Sequence, residues 1–172
     1  MSSVFPWFDR KFDLSFSVEL RPNILARLRG TPARLEEIVH DVPREALTRK
    51  PQRKWSAQEH AGHLFDLEPL WLARVEDYAK GVDLLTVADL RNRETDQADH
   101  NARPLEQILV EFRLAREKLM LRIDRLDGAL FSCSIPHPRL KTPMRLVDHL
   151  YFVAEHDDHH LARIWELVSS SK

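Results

Sequence analysis

The sequence has 172 residues, 43% of them hydrophobic and 31% charged, with a formal net charge of −1. That length and balance describe one folded domain with a sizeable core; they exclude a disordered chain and any bulk electrostatic pull towards nucleic acid or a membrane surface. The single cysteine, Cys133, excludes an internal disulfide framework or a cysteine-rich zinc site, fits a reducing cytoplasmic location, and reads as a small buried apolar residue.

The first 21 residues form an aromatic arm that carries Phe5, Trp7, Phe8, Phe12 and Phe16. Asp9, Arg10, Lys11 and Asp13 break any apolar run, so the arm is neither a signal peptide nor a transmembrane start. An apolar surface of this kind needs a cover, so the arm is expected to lie over the domain or to extend an interface. Residues 22–170 are read as the domain itself. Helical periodicity dominates there, and no alternating strand pattern of useful length appears.

In "GTPARLEEIVHDVP", Thr31 suits a cap, Pro32 a first helical position and Pro43 a stop; "PNILARLR" before it is also helical, so the helix can begin near Pro22 and bend at Gly30. A short turn, "PREALTRK", follows. "WSAQE" then offers Ser56 as N-cap with Glu59 three residues on, the capping-box pattern. This second long helix is expected to run to about Ala79, with a kink at Pro69, whose ring removes a backbone hydrogen bond. Residues 82–101 are polar and weakly periodic and read as a long connection. A third helix is predicted from near Pro104 to Gly128, and "IPHPRLKTP" as a rigid loop. Thr142 and Pro143 are expected to open a fourth helix that runs to about Val168. Four helices without strands predict an all-α four-helix bundle, with connections long enough for non-sequential packing.

The fourth helix carries the chemistry, in "AEHDDHHLAR". At about 100° per residue, His156 and His160 lie on one face about 40° apart, so both rings can reach a single ion. His159 points about 100° away from His160 and reads as a bystander. His149 shares the face but sits two turns below. Asp157 stands where a metalloprotease H-E-x-x-H would need glutamate, which makes that assignment poor. A pair is not a site, and the best further ligand is His63, which shares an inward helical face with Leu67, Leu70, Trp71 and Arg74. His60, about 60° round the same helix, reads as a rim residue.

The combination of "WSAQEHAGHLFDLE" and, about ninety residues later, "AEHDDHHLARI" resembles the DinB-like (YfiT-type) superfamily of four-helix bundle proteins. The resemblance covers roughly Pro22 to Val168 and includes "RLRGTPARLEE" and "HPRLKTPMRLVDHL". It implies a divalent metal ion, nickel or zinc, held by three histidines at positions that map here onto His63, His156 and His160. It also implies a homodimer, and either metal-dependent hydrolysis or transfer to a low-molecular-weight thiol, acting on a small molecule. One departure stands out: many relatives have glutamine where this chain has Arg163. That cation disfavours the ion unless Glu166 or Glu59 pairs with it; alternatively it holds a substrate carboxylate or phosphate.

Glu59 and Asp66 flank His63 by one turn on either side, and Asp157 lies about 60° from His160. Each reads either as a solvated helix charge or as a carboxylate that orients a ligand ring, with Asp157 and Glu59 also candidates for a general base. His100 and His137 sit in predicted loops and read as structural or surface residues. A non-catalytic metal-binding or protein-interaction bundle is the alternative to an enzyme. Neither charge nor motif points to nucleic acid.

Overall fold

The computed structural model describes residues 4–51 and 54–169. The bundle is built from α1 (Arg21–Val39), a broken helix made of α3 (Ala57–Asp66) and α4 (Glu68–Lys80), α6 (Leu105–Asp124) and α7 (Leu146–Ser169). Short helices α2 (Arg44–Thr48) and α5 (Arg93–Gln97) lie in the connections. Both α1 and α3 pack mainly on α6 and α7, so the two helices that come first in the chain face each other across the bundle. The all-α expectation holds apart from one small hairpin, β1 (Ser134–Pro136) with β2 (Pro143–Arg145), in which Ile135 pairs with Met144.

Local chemistry accounts for the places where the elements differ from expectation. Helix α1 runs without interruption through Gly30 and Pro32. Thr31 is no cap: its Oγ1 donates to Asp157 Oδ2 at 2.8 Å and lies 3.2 Å from Arg27 O. Pro32 has no N–H to give Leu28 O, and Arg116 Nη1 takes that carbonyl instead at 3.0 Å. The proline is thus tolerated inside the helix because another helix satisfies the acceptor it frees. Between α3 and α4 the break falls at Leu67, two residues before Pro69, which occupies the first turn of the new helix. Helix α7 begins at Leu146 and not at Thr142 or Pro143, because residues 143–145 are drawn into the hairpin; Asp148 Oδ2 then accepts from Arg145 N at 2.8 Å.

The core is aliphatic at both ends, with Leu28, Val75, Leu119 and Val147 in one cluster and Leu35, Leu64, Phe112 and Ile164 in another. Between them lies a buried ion triad. Arg116 on α6 pairs with Glu68 at 2.6 Å and with Asp157 at 2.6 Å, and so ties α4 to α7. Burial opposes the Arg116 charge, but Asp157 and Glu68 outweigh it and hold the guanidinium protonated. Burial also pushes Glu68 up to about 7 against the pull of Arg116. Cys133 is exposed rather than buried, because it lies beside the hairpin and not on a core face of a helix. Among the described residues no helix is long and apolar enough to cross a membrane.

Candidate metal centre

His63 comes from α3, and His156 and His160 come from successive turns of α7. All three rings are buried where these helices meet, and one ligand nitrogen of each lies within 4.8 Å of the other two. The capping box at Ser56 starts α3 with reciprocal bonds, Glu59 N to Ser56 Oγ at 3.1 Å and Ser56 N to Glu59 Oε2 at 2.9 Å. That fixes the phase of the helix and aims His63 inwards. His160 Nε2 and His156 Nε2 face each other at 3.1 Å. Two nitrogens about 2.1 Å from one tetrahedral ion stand roughly 3.4 Å apart, so the pair is close to ligand spacing already.

Protonation also suits an ion. Burial pushes His63 down to about 4 and holds His156 and His160 well below their ordinary value, so all three rings keep a free lone pair at neutral pH. The other ring nitrogens explain which lone pair is presented. His63 Nδ1 lies 2.9 Å from Thr95 Oγ1, and that hydroxyl donates to Asp66 Oδ2 at 2.7 Å. The hydroxyl proton is therefore committed, Thr95 accepts from His63 Nδ1–H, and Nε2 is left as the ligand atom. His160 Nδ1 stands 2.8 Å from His60 Nδ1. A ligand role for His160 Nε2 requires its proton on Nδ1, and His60 is placed to accept that proton in a hydrogen bond. His156 Nδ1 is buried with no partner among the described residues.

The site opens into a cavity of about 570 Å³ lined by aromatic and apolar side chains, among them Trp7, Trp55, Trp71 and Phe152. The aromatic arm forms one wall. Trp7 meets His156 edge-on at 5.1 Å and Phe152 at 5.1 Å, and Arg10 bonds Glu155 to hold the arm on α7. Trp55 packs tilted against His63, with ring centroids 4.6 Å apart, and is tethered through its Nε1–H to Asp96 at 2.8 Å.

Several residues singled out in the sequence have other duties. Asp157 accepts from Arg116 and Thr31 on the far side of α7, so it neither orients His160 nor has a free oxygen for base catalysis. Glu59 is committed to Ser56 N and to Lys50 Nζ at 2.6 Å. Arg163 pairs with Glu166 and is not among the residues that line the cavity. Asp66 does serve His63, but through Thr95. His60 is not a rim residue but buried beside His160. His159 lines the cavity against Trp7 but falls outside the three-nitrogen cluster.

Residues that sequence reasoning missed lie in the segment read as a plain connection. Thr95 on α5 and His100 just after it are both buried, and His100 Nε2 donates to Asp66 Oδ2 at 2.8 Å. Gly62 makes room for this: a Cβ there would stand 2.3 Å from the His100 ring. The glycine between two histidines in "HAGHL" was the available signal, because a side-chain-free helical position permits close approach.

Residues 27–164 match the DinB superfamily. The chain belongs to that superfamily. Among solved structures, this DinB-superfamily chain is similar to YfiT from Bacillus subtilis, described as a probable metal-dependent hydrolase with an unusual four-helix bundle topology. The TM-score is 0.83 at 19% identity, over 98% of this chain and 97% of that one, a likeness of fold. No curated protein matches the sequence.

Proposed function

We propose that the protein binds one divalent metal ion, nickel or zinc, through His63, His156 and His160, and uses it to transform a small molecule held in the adjoining cavity. The observation that carries this reading is the convergence of three buried, neutral imidazoles, two of them with their outer nitrogens already engaged, on the wall of a cavity. Three neutral nitrogen donors would leave coordination positions open, so an ion held by His63, His156 and His160 would supply Lewis acidity towards a carbonyl, water or a thiol. The chain's own residues do the rest. Thr95 and His60 hold the ligand rings in one tautomer, and Trp7, Trp55 and Trp71 keep bulk water from the reacting atoms.

Hydrolysis and thiol transfer both fit this frame. One observation favours the thiol reading: the only carboxylate among the described cavity residues is Asp89, which is occupied by Arg91 N and by Arg93 N and Nε. Water attack needs a proton acceptor. His159 is the nearest free imidazole, and burial pushes it down to about 4, a weak base. A thiol, whose ordinary pKa of about 8.5 already leaves a small thiolate fraction at neutral pH with the proton in bulk water, depends less on such a group.

The test is metal analysis of protein purified without a histidine tag, followed by rebinding of nickel and zinc. About one equivalent is expected, lost on His63→Ala, His156→Ala or His160→Ala with the helical content unchanged. Retention of less than a tenth of an equivalent, with no rebinding, overturns the proposal. Turnover of thiol acceptors, or of esters and amides, then separates the two chemistries, and no turnover that depends on His63 leaves a binding module.

A further inference from the structure

The cavity has a second polar region, formed by Arg74 on α4 and by His137 and Arg139 in the loop after β1. Its two arginines differ from those that hold the bundle together. Arg10, Arg27, Arg116, Arg122 and Arg145 each meet a carboxylate. Arg74 is only 2% exposed, yet its contacts are Thr86 O, from Nε at 2.9 Å, and His137 Nε2, from Nη1 at 3.1 Å. Neither Arg74 nor Arg139 makes an ion pair among the described residues, although Asp77 lies near enough to favour the Arg74 charge. Arg139 lies over the rings of Trp7, Phe8 and Phe152, and its buried Nη2 has no hydrogen-bond partner among the described residues. A buried cation without a counter-ion is costly and persists where something else supplies the charge.

His137 sharpens the point. Its Nδ1 accepts from Arg139 N at 3.2 Å and Leu140 N at 3.1 Å. The ring is neutral, since burial pushes it down to about 3, so its one proton sits on Nε2. That N–H faces the N–H of Arg74: two donors converge with no acceptor between them.

We propose that Arg74, His137 and Arg139 form an anion subsite that binds a carboxylate or phosphate group of the substrate whose reactive end lies at the histidine cluster. The inference rests on reading the cavity as the substrate site. A planar oxyanion accepts from Arg139 Nη2, Arg74 Nη1 and His137 Nε2 together and supplies the missing charge. Phe152 joins the two poles. It packs 5.2 Å from His137 and 5.7 Å from Arg139, and it precedes His156 by one turn of α7. Those four residues rise about 6 Å along the axis, the reach of a short aliphatic or aryl spacer. The substrate is therefore a small anion with an apolar body that lies against Phe152, Trp7 and Trp71.

The test is calorimetric binding of benzoate and phenyl phosphate, with benzamide and benzyl alcohol as uncharged counterparts, to the full chain freed of metal. The anions are expected to bind at least tenfold more tightly than their neutral counterparts. Arg139→Gln is expected to weaken the anions at least tenfold while leaving benzamide within twofold, and Arg74→Lys, which keeps a buried cation, serves if the first variant folds poorly. Whichever of the two anions binds better identifies the group. His63→Ala is expected to keep anion binding within twofold, so loss of the metal site and loss of the anion subsite are read separately. Equal affinity for charged and uncharged ligands, or anion affinity unmoved by both arginine substitutions, overturns the proposal.

Discussion

Two polar clusters share the interior of the bundle, and both draw on α7, through Asp157 and through His156 and His160. Around Arg116 the polar groups are engaged with one another: the guanidinium takes Glu68, Asp157 and Leu28 O, and Asp157 also takes Thr31. Around the cavity the bonding is unfinished. Two histidine nitrogens face each other, and among the described residues His156 Nδ1 and Arg139 Nη2 have no hydrogen-bond partner. A cluster that closes on itself has nothing left to offer a ligand, so the first is structure. A buried cluster left open carries a cost that folding alone does not recover, so the second is where ligands are expected.

The sharpest way to break this contrast is to open the closed cluster. Arg116→Met leaves Glu68 and Asp157 buried without their cation and is expected to destabilise the protein by about 3–5 kcal/mol, measured by urea unfolding. The ion bound per folded molecule is expected to be unchanged. The reverse holds for His160→Ala. Saturating metal at a hundred times its dissociation constant is expected to add about 2.7 kcal/mol to the unfolding free energy of the unsubstituted protein and nothing to the variant's. Thr95→Val, which removes the hydroxyl between Asp66 and His63, is expected to weaken metal binding about 10–100-fold without abolishing it, and Thr95→Ser to restore most of the loss. An unchanged affinity would detach Asp66 from the site.

The smallest effect concerns pH. His137 is held near 3 in the fold against 6.5 ordinarily, so the unfolded chain takes up its proton first as the solution is acidified. Its contribution to stability is whole above pH 6.5 and is lost progressively as pH falls from there towards 3. Between pH 6.5 and 5.5, urea midpoints of the protein and of His137→Gln are expected to diverge by about 1 kcal/mol, the substituted protein being the less acid-sensitive.

What the sequence made legible was local. The Ser56–Glu59 box, the four-residue spacing of His156 and His160 and the inward phase of His63 follow from helical geometry alone, and the bundle follows from the periodicity. Asp157 shows where that reasoning stops. Its angle from His160 was read correctly, but its partner was decided by Arg116 and Thr31, which arrive from other helices. The roles of Thr95, His100 and Arg139 were hidden for the same reason, since no long periodicity marks a side chain delivered by a connection, whereas the inward phase of Arg74 on α4 was legible and its neighbours were not. Pro143 looked like a helix opener until Ile135 and Met144 paired across the hairpin.

Trp7 and Phe8 of the amino-terminal arm line the cavity, and Arg10 beside them reaches Glu155 across 145 positions of sequence. A contact of that sequence separation closes a long loop, so this wall is expected to be among the last parts of the fold to form. The histidines of α3 and α7 can therefore meet before the arm is seated, and the aromatic chamber beside them closes afterwards.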